Sequence, residues 1–227
     1  MKNNTTTMIE PCYGDREYTT IQELTEGAIS GDLLAAYYLA QHYEEGSIVE
    51  RDYNKAAELY MLVSECREPL IFADPNMPLT PQCEAEYAIG CFYEKGLLPN
   101  SSMEKAIEWF LKSVEDGGSD ACYKMAELHI DGNYVEHDYD KAARYLYSGY
   151  YEFGRTDTAF KLASKLEGKT SIECVVWEVL ADCYTWGIGV ENDFNKADIY
   201  YAKLGRLSHE MNNETIKEAT MYNELPF

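Results

Sequence analysis

Basic residues are scarce in this chain: 19 Lys and Arg stand against 40 Asp and Glu, for a formal net charge of −21. Nucleic-acid affinity rests on Lys and Arg neutralising phosphates, and anionic membranes attract basic segments by the same force. No nucleic acid and no membrane is therefore expected as a partner. Arg51, Arg67, Arg144, Arg155 and Arg206 are scattered, so no cluster stands ready for a phosphopeptide. Long apolar runs are missing too. The longest, Leu33 to Ala40, falls far short of the roughly 20 residues that span a bilayer. The opening MKNNTTTMIEPCYGD has no apolar stretch behind its lysine, hence no secretory signal. A soluble, cytoplasmic protein is expected, in which the Asn-x-Ser/Thr triplets at Asn4, Asn100 and Asn213 carry no glycosylation meaning. The seven cysteines are odd in number and form no CxxC, which points to reduced thiols. Cys83 and Cys91, like Cys174 and Cys183, lie about two helical turns apart, beyond the reach of about 7 Å that a disulfide allows.

Catalytic constellations are absent as well. His42, His129, His137 and His209 belong to no HExxH pair and have no cysteine at metal-ligand spacing. There is no GxSxG elbow, Walker loop or dinucleotide fingerprint, and Gly187-x-Gly189 is a lone GxG. Paired acids such as Glu44-Glu45 serve glycoside hydrolysis elsewhere, and Asp116 adds a further carboxylate. Among 40 acidic residues, however, such adjacency arises by chance. No cofactor, metal or catalytic residue is implied. The acid excess has two readings: solubility, or a field that steers a basic protein partner.

What the chain does contain is a repeat. Gly46, Gly96, Gly132 and Gly187 are each followed nine residues later by a Lys-Ala pair, at Lys55, Lys105, Lys141 and Lys196. Three residues before each glycine stand Tyr43, Tyr93, His129 and Tyr184. Seven before stand Leu39, Ile89, Met125 and Leu180, each followed by a small residue: Ala40, Gly90, Ala126 and Ala181. Offsets of three and four mark one stripe of an amphipathic helix, and the small residues permit close helix approach. The glycine falls where a helix C-terminus needs a left-handed residue. Asp52, Ser102, Asp138 and Asp193, three before each lysine, are good N-caps for a second helix. That helix buries Ala56, Ala106, Ala142 and Ala197, with Tyr60, Phe110, Leu146 and Tyr201 one turn on. Each unit is helix, tight turn, helix, and His129 in a core aromatic slot is expected to be a packed histidine.

The pattern Ala-x-x-x-Leu-Ala-x-x-Tyr-x-x-Gly, then Val and Asp, then Lys-Ala and an aromatic pair, resembles the Sel-one-like repeat, a relative of the tetratricopeptide repeat. Trp177 to Tyr201 carries it best, with Gly187-Ile188-Gly189-Val190 and Asp193-Phe194-Asn195-Lys196-Ala197. The resemblance covers roughly residues 32–205. It implies an all-α fold, an α/α superhelical solenoid of about four hairpin repeats with capping helices at both ends. The expected layout is a tail over 1–18 and an N-terminal cap over 19–31. Repeats follow over 32–66, 84–118, 119–151 and 174–205, with a proline-rich insertion over 67–83 and an inserted helix within 152–173. A closing cap and tail take 206–227. Departures from the family are the spacing, since glycine gaps of 50 and 55 residues flank one of 36, and the cysteines, which do not follow the pairing of some secreted members.

By resemblance, the first helix of each pair lines a concave wall that binds partners. Its free stripe is expected one, five and eight residues before each glycine. This selects Tyr38, Gln41 and Glu45, then Ala88, Cys91 and Lys95, then Lys124, Glu127 and Asp131, and last Val179, Asp182 and Trp186. Trp186 is either a binding hot spot or a residue packed under the inserted helix. Tyr38 and the run Tyr145, Tyr147, Tyr150 and Tyr151 are less fully explained by core slots and leave some rings for a partner. The expected function is a non-enzymatic scaffold or adaptor gripping another protein along an acidic concave surface. Alternatives are an antidote that masks a basic toxin or nuclease, a bacterial effector acting in a host cell and, more remotely, a hydrolase in an acidic groove.

Overall fold

The structure is a computed structural model that describes residues 20–65, 81–151 and 156–210, with side chains as far as 206. Ten α-helices and no strand are found among these residues. None of the helices is long and apolar enough to cross a membrane. The chain divides into two compact units, Met1–Gly118 and Ser119–Phe227.

The first unit holds α1 (Ile21–Ile29), α2 (Leu33–Glu45), α3 (Tyr53–Ser64), α4 (Pro81–Glu94) and α5 (Met103–Glu115). Successive helices pack pairwise, α1 on α2 through to α4 on α5. Leu24 of α1 is buried with Ala35 and Leu39, which makes α1 the lid of the first hairpin. Deeper in the unit, Ala36, Ala40, Ala56, Tyr60, Val63, Ala85, Ile89 and Phe92 form one buried cluster. Burying a side chain the size of Val63, Ile89 or Phe92 contributes about 1.5–3 kcal/mol. Pro81 is the first residue of α4, a position where its missing N–H would be unpaired anyway. Residues 81–83 therefore belong to a helix and not to the proline-rich insertion, the rest of which, 67–80, lies outside the described residues.

The second unit holds α6 (Ser119–Asp131), α7 (Tyr139–Tyr151), α8 (Asp157–Leu166), α9 (Glu173–Trp186) and α10 (Phe194–Glu210). The inserted helix α8 buries Ala159, Leu162, Ala163 and Leu166 on one stripe and packs against α6, α7 and α9. Its exit loop is pinned to α7. Asp140 accepts hydrogen bonds from Thr170 Oγ1 and the Ser171 N–H, both at 2.7 Å, and from the Ser171 hydroxyl. The closing cap expected over 206–227 begins differently: residues 206–210 continue α10 without a break, and 211–227 lie outside the described residues.

The repeat turn has a defined chemistry. Gly187 caps α9 at φ 70°, a left-handed conformation that demands glycine, and a Cβ there would also push on the Asn192 amide at 2.7 Å. The N-cap that follows turns its N–H back onto the tyrosine-slot carbonyl: Asp52 to Tyr43 at 2.9 Å, Asp138 to His129 at 3.0 Å and Asp193 to Tyr184 at 2.9 Å. Each aspartate also accepts the N–H of its repeat lysine, at 2.9–3.1 Å. In the second repeat Leu97 N–H donates to Phe92 O at 2.9 Å, as Ile188 N–H does to Cys183 O at 3.0 Å in the fourth, and its loop contains Pro99 and Asn100 at φ 53°.

Candidate protein-interaction surface

Within the first unit, α2 and α4 present a stripe of phenols and carboxylates. Tyr37 of α2 donates to Glu84 of α4, and Gln41 donates to the Tyr37 hydroxyl at 3.0 Å. Tyr60 of α3 donates to Glu44 Oε2 at 2.8 Å. Burial first, then the adjacent carboxylate, pushes both phenols far above their ordinary range, so they remain hydrogen-bond donors. Of the expected stripe, Tyr38 is half-buried, edge-on to Tyr37 at 5.6 Å and packed on the α1 cluster. Gln41 and Cys91 are half-buried, and Glu45 and Lys95 are exposed. Ala88 packs against the central cluster of the unit.

In the second unit, Lys124 and Glu127 are half-buried on α6 and Asp131 is exposed at its end. Val179 departs from expectation. It is fully buried, because α8 lies against α9 and draws this position into the core around Leu162 and Leu166. Since α8 packs against both α6 and α9, the α6 and α9 stripes do not form the uninterrupted wall that simple repeats would give. Asp182 and Trp186 do lie on a free stripe, and Trp186 is 66% exposed, so it does not pack under α8.

The sequence reading missed the partners of Asp182. Tyr201 of α10 donates to its Oδ1 at 2.9 Å and Tyr150 of α7 to its Oδ2 at 3.1 Å. One turn earlier on α9, Glu178 accepts from Tyr151 at 2.6 Å. Glu178, Asp182 and Trp186 stand four residues apart, a legible signal for one helix face. The tyrosines come from residues 19–32 positions away and give no local signal. Tyr201 was expected in a core slot, yet it is 43% exposed where Tyr60, Phe110 and Leu146 are buried. Among the described residues, no further helix follows α10 to cover it.

Two other groups have proton affinities shifted by burial. Glu86 of α4 is fully buried, 3.1 Å from Lys112 Nζ, and burial pushes its carboxyl up to about 7 despite that lysine. Lys112 in turn donates to Ser64 at 3.2 Å and lies 4.8 Å over Trp109. No sequence signal marked this acid, which ties α3, α4 and α5 together. Burial, then Asp182, pushes the Cys183 thiol up to about 12, which leaves it a protonated core residue. His129 is buried, 2.8 Å from the Glu136 carbonyl and stacked on Tyr145.

These hairpins define an all-α repeat protein of the solenoid class. The Sel1 repeat profile matches residues 33–60, 83–118, 119–151 and 179–209, and the chain belongs to the Sel1 repeat family. Repeats of this kind are generally non-enzymatic modules for binding proteins. Similar solved structures include a protective antigen of uropathogenic Escherichia coli with an SLR fold, at 25% identity and a TM-score of 0.48, covering 81% of this chain and 40% of that one. A Sel1 repeat protein from Oxalobacter formigenes shares 19% identity at a TM-score of 0.49, with 82% and 61% covered. An immunity protein from Pseudomonas aeruginosa shares 19% identity at a TM-score of 0.34, with 82% and 72% covered. The chain thus spans about two fifths and three fifths of the length of the first two. No curated protein matches it significantly.

Proposed function

We propose that this chain is a non-enzymatic, cytoplasmic scaffold that binds another protein through the polar and aromatic stripes of its first repeat helices. The observation that carries this reading is the division of labour within the Sel1 hairpins. Their aliphatic and tyrosine ridges are consumed by packing, while Glu178, Asp182 and Trp186 are kept off the core. The most perturbed carboxylate among the described residues, Glu86, is fully buried. Affinity capture from native lysate, with and without substitutions in the α9 stripe, tests the reading. A specific partner should be recovered by the wild type and lost on substitution, with the helical circular dichroism unchanged. Turnover of a glycan, ester or peptide that disappears with one surface carboxylate would overturn it.

A second reading is favoured by the net charge of −21: an antidote that masks a basic toxin or nuclease. It requires a complex that weakens steeply with salt, because exposed charges are screened beyond about 8 Å at physiological ionic strength. A complex indifferent to molar salt would exclude it.

A further inference from the structure

The chain repeatedly builds one local device, a lysine over an aromatic ring with a carboxylate beside it. Lys55 lies 5.0 Å over Tyr43 and 3.6 Å from Asp52. Lys196 lies 4.9 Å over Tyr184 and 3.6 Å from Asp193. Lys112 lies 4.8 Å over Trp109 and 3.1 Å from Glu86. Lys203 lies 5.3 Å over Trp177, 4.6 Å over Tyr200 and 3.2 Å from Glu167. In each, the ring face and the carboxylate share one cation.

The α9 stripe has the same parts without the cation. Glu178, Asp182 and Trp186 follow at four-residue spacing on one helix face. Tyr151, Tyr150 and Tyr201 hold the two carboxylates in place through their hydroxyls. Those donors are neutral, so they orient the charge and do not cancel it. No described Lys or Arg pairs with either acid, and Trp186 is open to solvent. Phe194, two turns before Tyr201 on α10, is equally exposed and adds an apolar rim.

We propose that the stripe of Glu178, Asp182 and Trp186, flanked by Tyr151 and Tyr201, is the docking site for an Arg or Lys side chain of a basic protein partner. The proposal rests on the protein-binding reading above and names the chemistry of its partner. Charge complementarity selects the occupant. Two oriented carboxylates on the same helix face as an exposed indole suit a guanidinium or ammonium, and an acidic or purely apolar segment would leave both acids without a counter-charge.

The test titrates the full chain with an N-acetylated, C-amidated tetra-arginine peptide and with its uncharged tetra-citrulline isostere, at about 0.15 M salt to screen the general field. Glu178→Gln/Asp182→Asn, and separately Trp186→Ala, should each raise the dissociation constant about tenfold, as expected for losing a desolvated charge or ring partner. The control pair Glu108→Gln/Glu115→Gln, exposed on α5 and outside the stripes of the first repeat helices, should change it less than about twofold, as for remote surface charges, and tetra-citrulline should not bind. Equal weakening by the control pair, no effect of Trp186→Ala, or binding of tetra-citrulline would each overturn the site. Lysate capture separates the two readings. Undiminished recovery of the same partner by the Glu178→Gln/Asp182→Asn/Trp186→Ala variant overturns the cation site alone. A wild type that binds tetra-arginine at this stripe but recovers no protein overturns the scaffold reading alone.

Discussion

Lys196 stands 4.9 Å over the ring of Tyr184, and the same pairing joins Lys55 to Tyr43 at 5.0 Å and Lys105 to Tyr93 at 5.2 Å. The two most regular features of the repeat, the tyrosine before the glycine and the lysine after it, are therefore one interaction across the hairpin turn. The lysine also reaches the N-cap aspartate of its own helix in three of the four repeats, at 3.6–3.9 Å. Such exposed ion pairs contribute little, so the ring contact is the larger of the two effects.

Lys196→Met should accordingly cost about 0.5–1 kcal/mol in urea unfolding. Tyr184→Leu added to it should cost less than Tyr184→Leu alone. His129 takes the repeat position that is tyrosine in the other units, so Lys141→Met should have the smallest effect of the four lysines. Additivity between Lys196 and Tyr184 would show that the pair is only adjacent.

Gly90 faces Phe110, and a Cβ on it would lie 2.5 Å from the ring, in a core where Phe110 is fully buried. Gly90→Ala should cost about 1–3 kcal/mol by overpacking, even though alanine is the better helix former by about 1 kcal/mol. In the third repeat Ala126 stands in the same slot, with Leu146 in place of the phenylalanine, and both are buried. Gly90→Ala/Phe110→Leu should therefore be more stable than the sum of its single substitutions predicts. Chemical denaturation of the four proteins in that cycle measures the difference.

Glu86 sets a pH dependence. Burial raises its folded pKa from 4.5 to about 7, with Asp116 adding to the rise and the half-exposed Lys112 opposing it. The folded state then holds the proton more tightly than the unfolded chain. Its contribution is fully present below the unfolded pKa and is lost as pH rises towards 7. The loss is on the order of 3 kcal/mol at most. Glu86→Gln should remove this slope, so unfolding at pH 5 and pH 8 should differ less in the variant than in the wild type. Identical slopes would mean that Lys112 keeps the carboxylate ionised throughout.

Trp186→Ala should leave the helical circular dichroism and the melting midpoint nearly unchanged, within about 0.5 kcal/mol, because surface substitutions away from packed features rarely exceed that. Partner capture should fail. A large loss of stability would instead make Trp186 a structural residue despite its exposure.

Much of this architecture is legible in local pattern. Each N-cap aspartate, left-handed glycine and Lys-Ala pair acts within one or two helical turns, so spacing alone locates the hairpins and the amphipathic stripe of the inserted helix. The stripe Glu178, Asp182 and Trp186 is also partly legible, since Asp182 and Trp186 fall at the free offsets of the repeat. Val179, at the third such offset, was misplaced because the offset rule assumes an unbroken array, and α8 breaks it. Tyr201 was misplaced for the opposite reason: the rule assumes a following helix that the described residues do not include. Glu86 could not be located at all. Its burial depends on Lys112 and Ser64, 26 residues downstream and 22 upstream, meeting over α4.

The amino-acid order by itself determined that this protein is an array of helix hairpins, because capping, left-handed turns and helical periodicity are short-range effects written in neighbouring residues. Tertiary structure alone decided which carboxylates are paired, buried or free. A side chain's charge state and accessibility depend on groups that arrive from other helices, as Tyr150 and Tyr201 arrive at Asp182, and no spacing along the chain encodes that meeting.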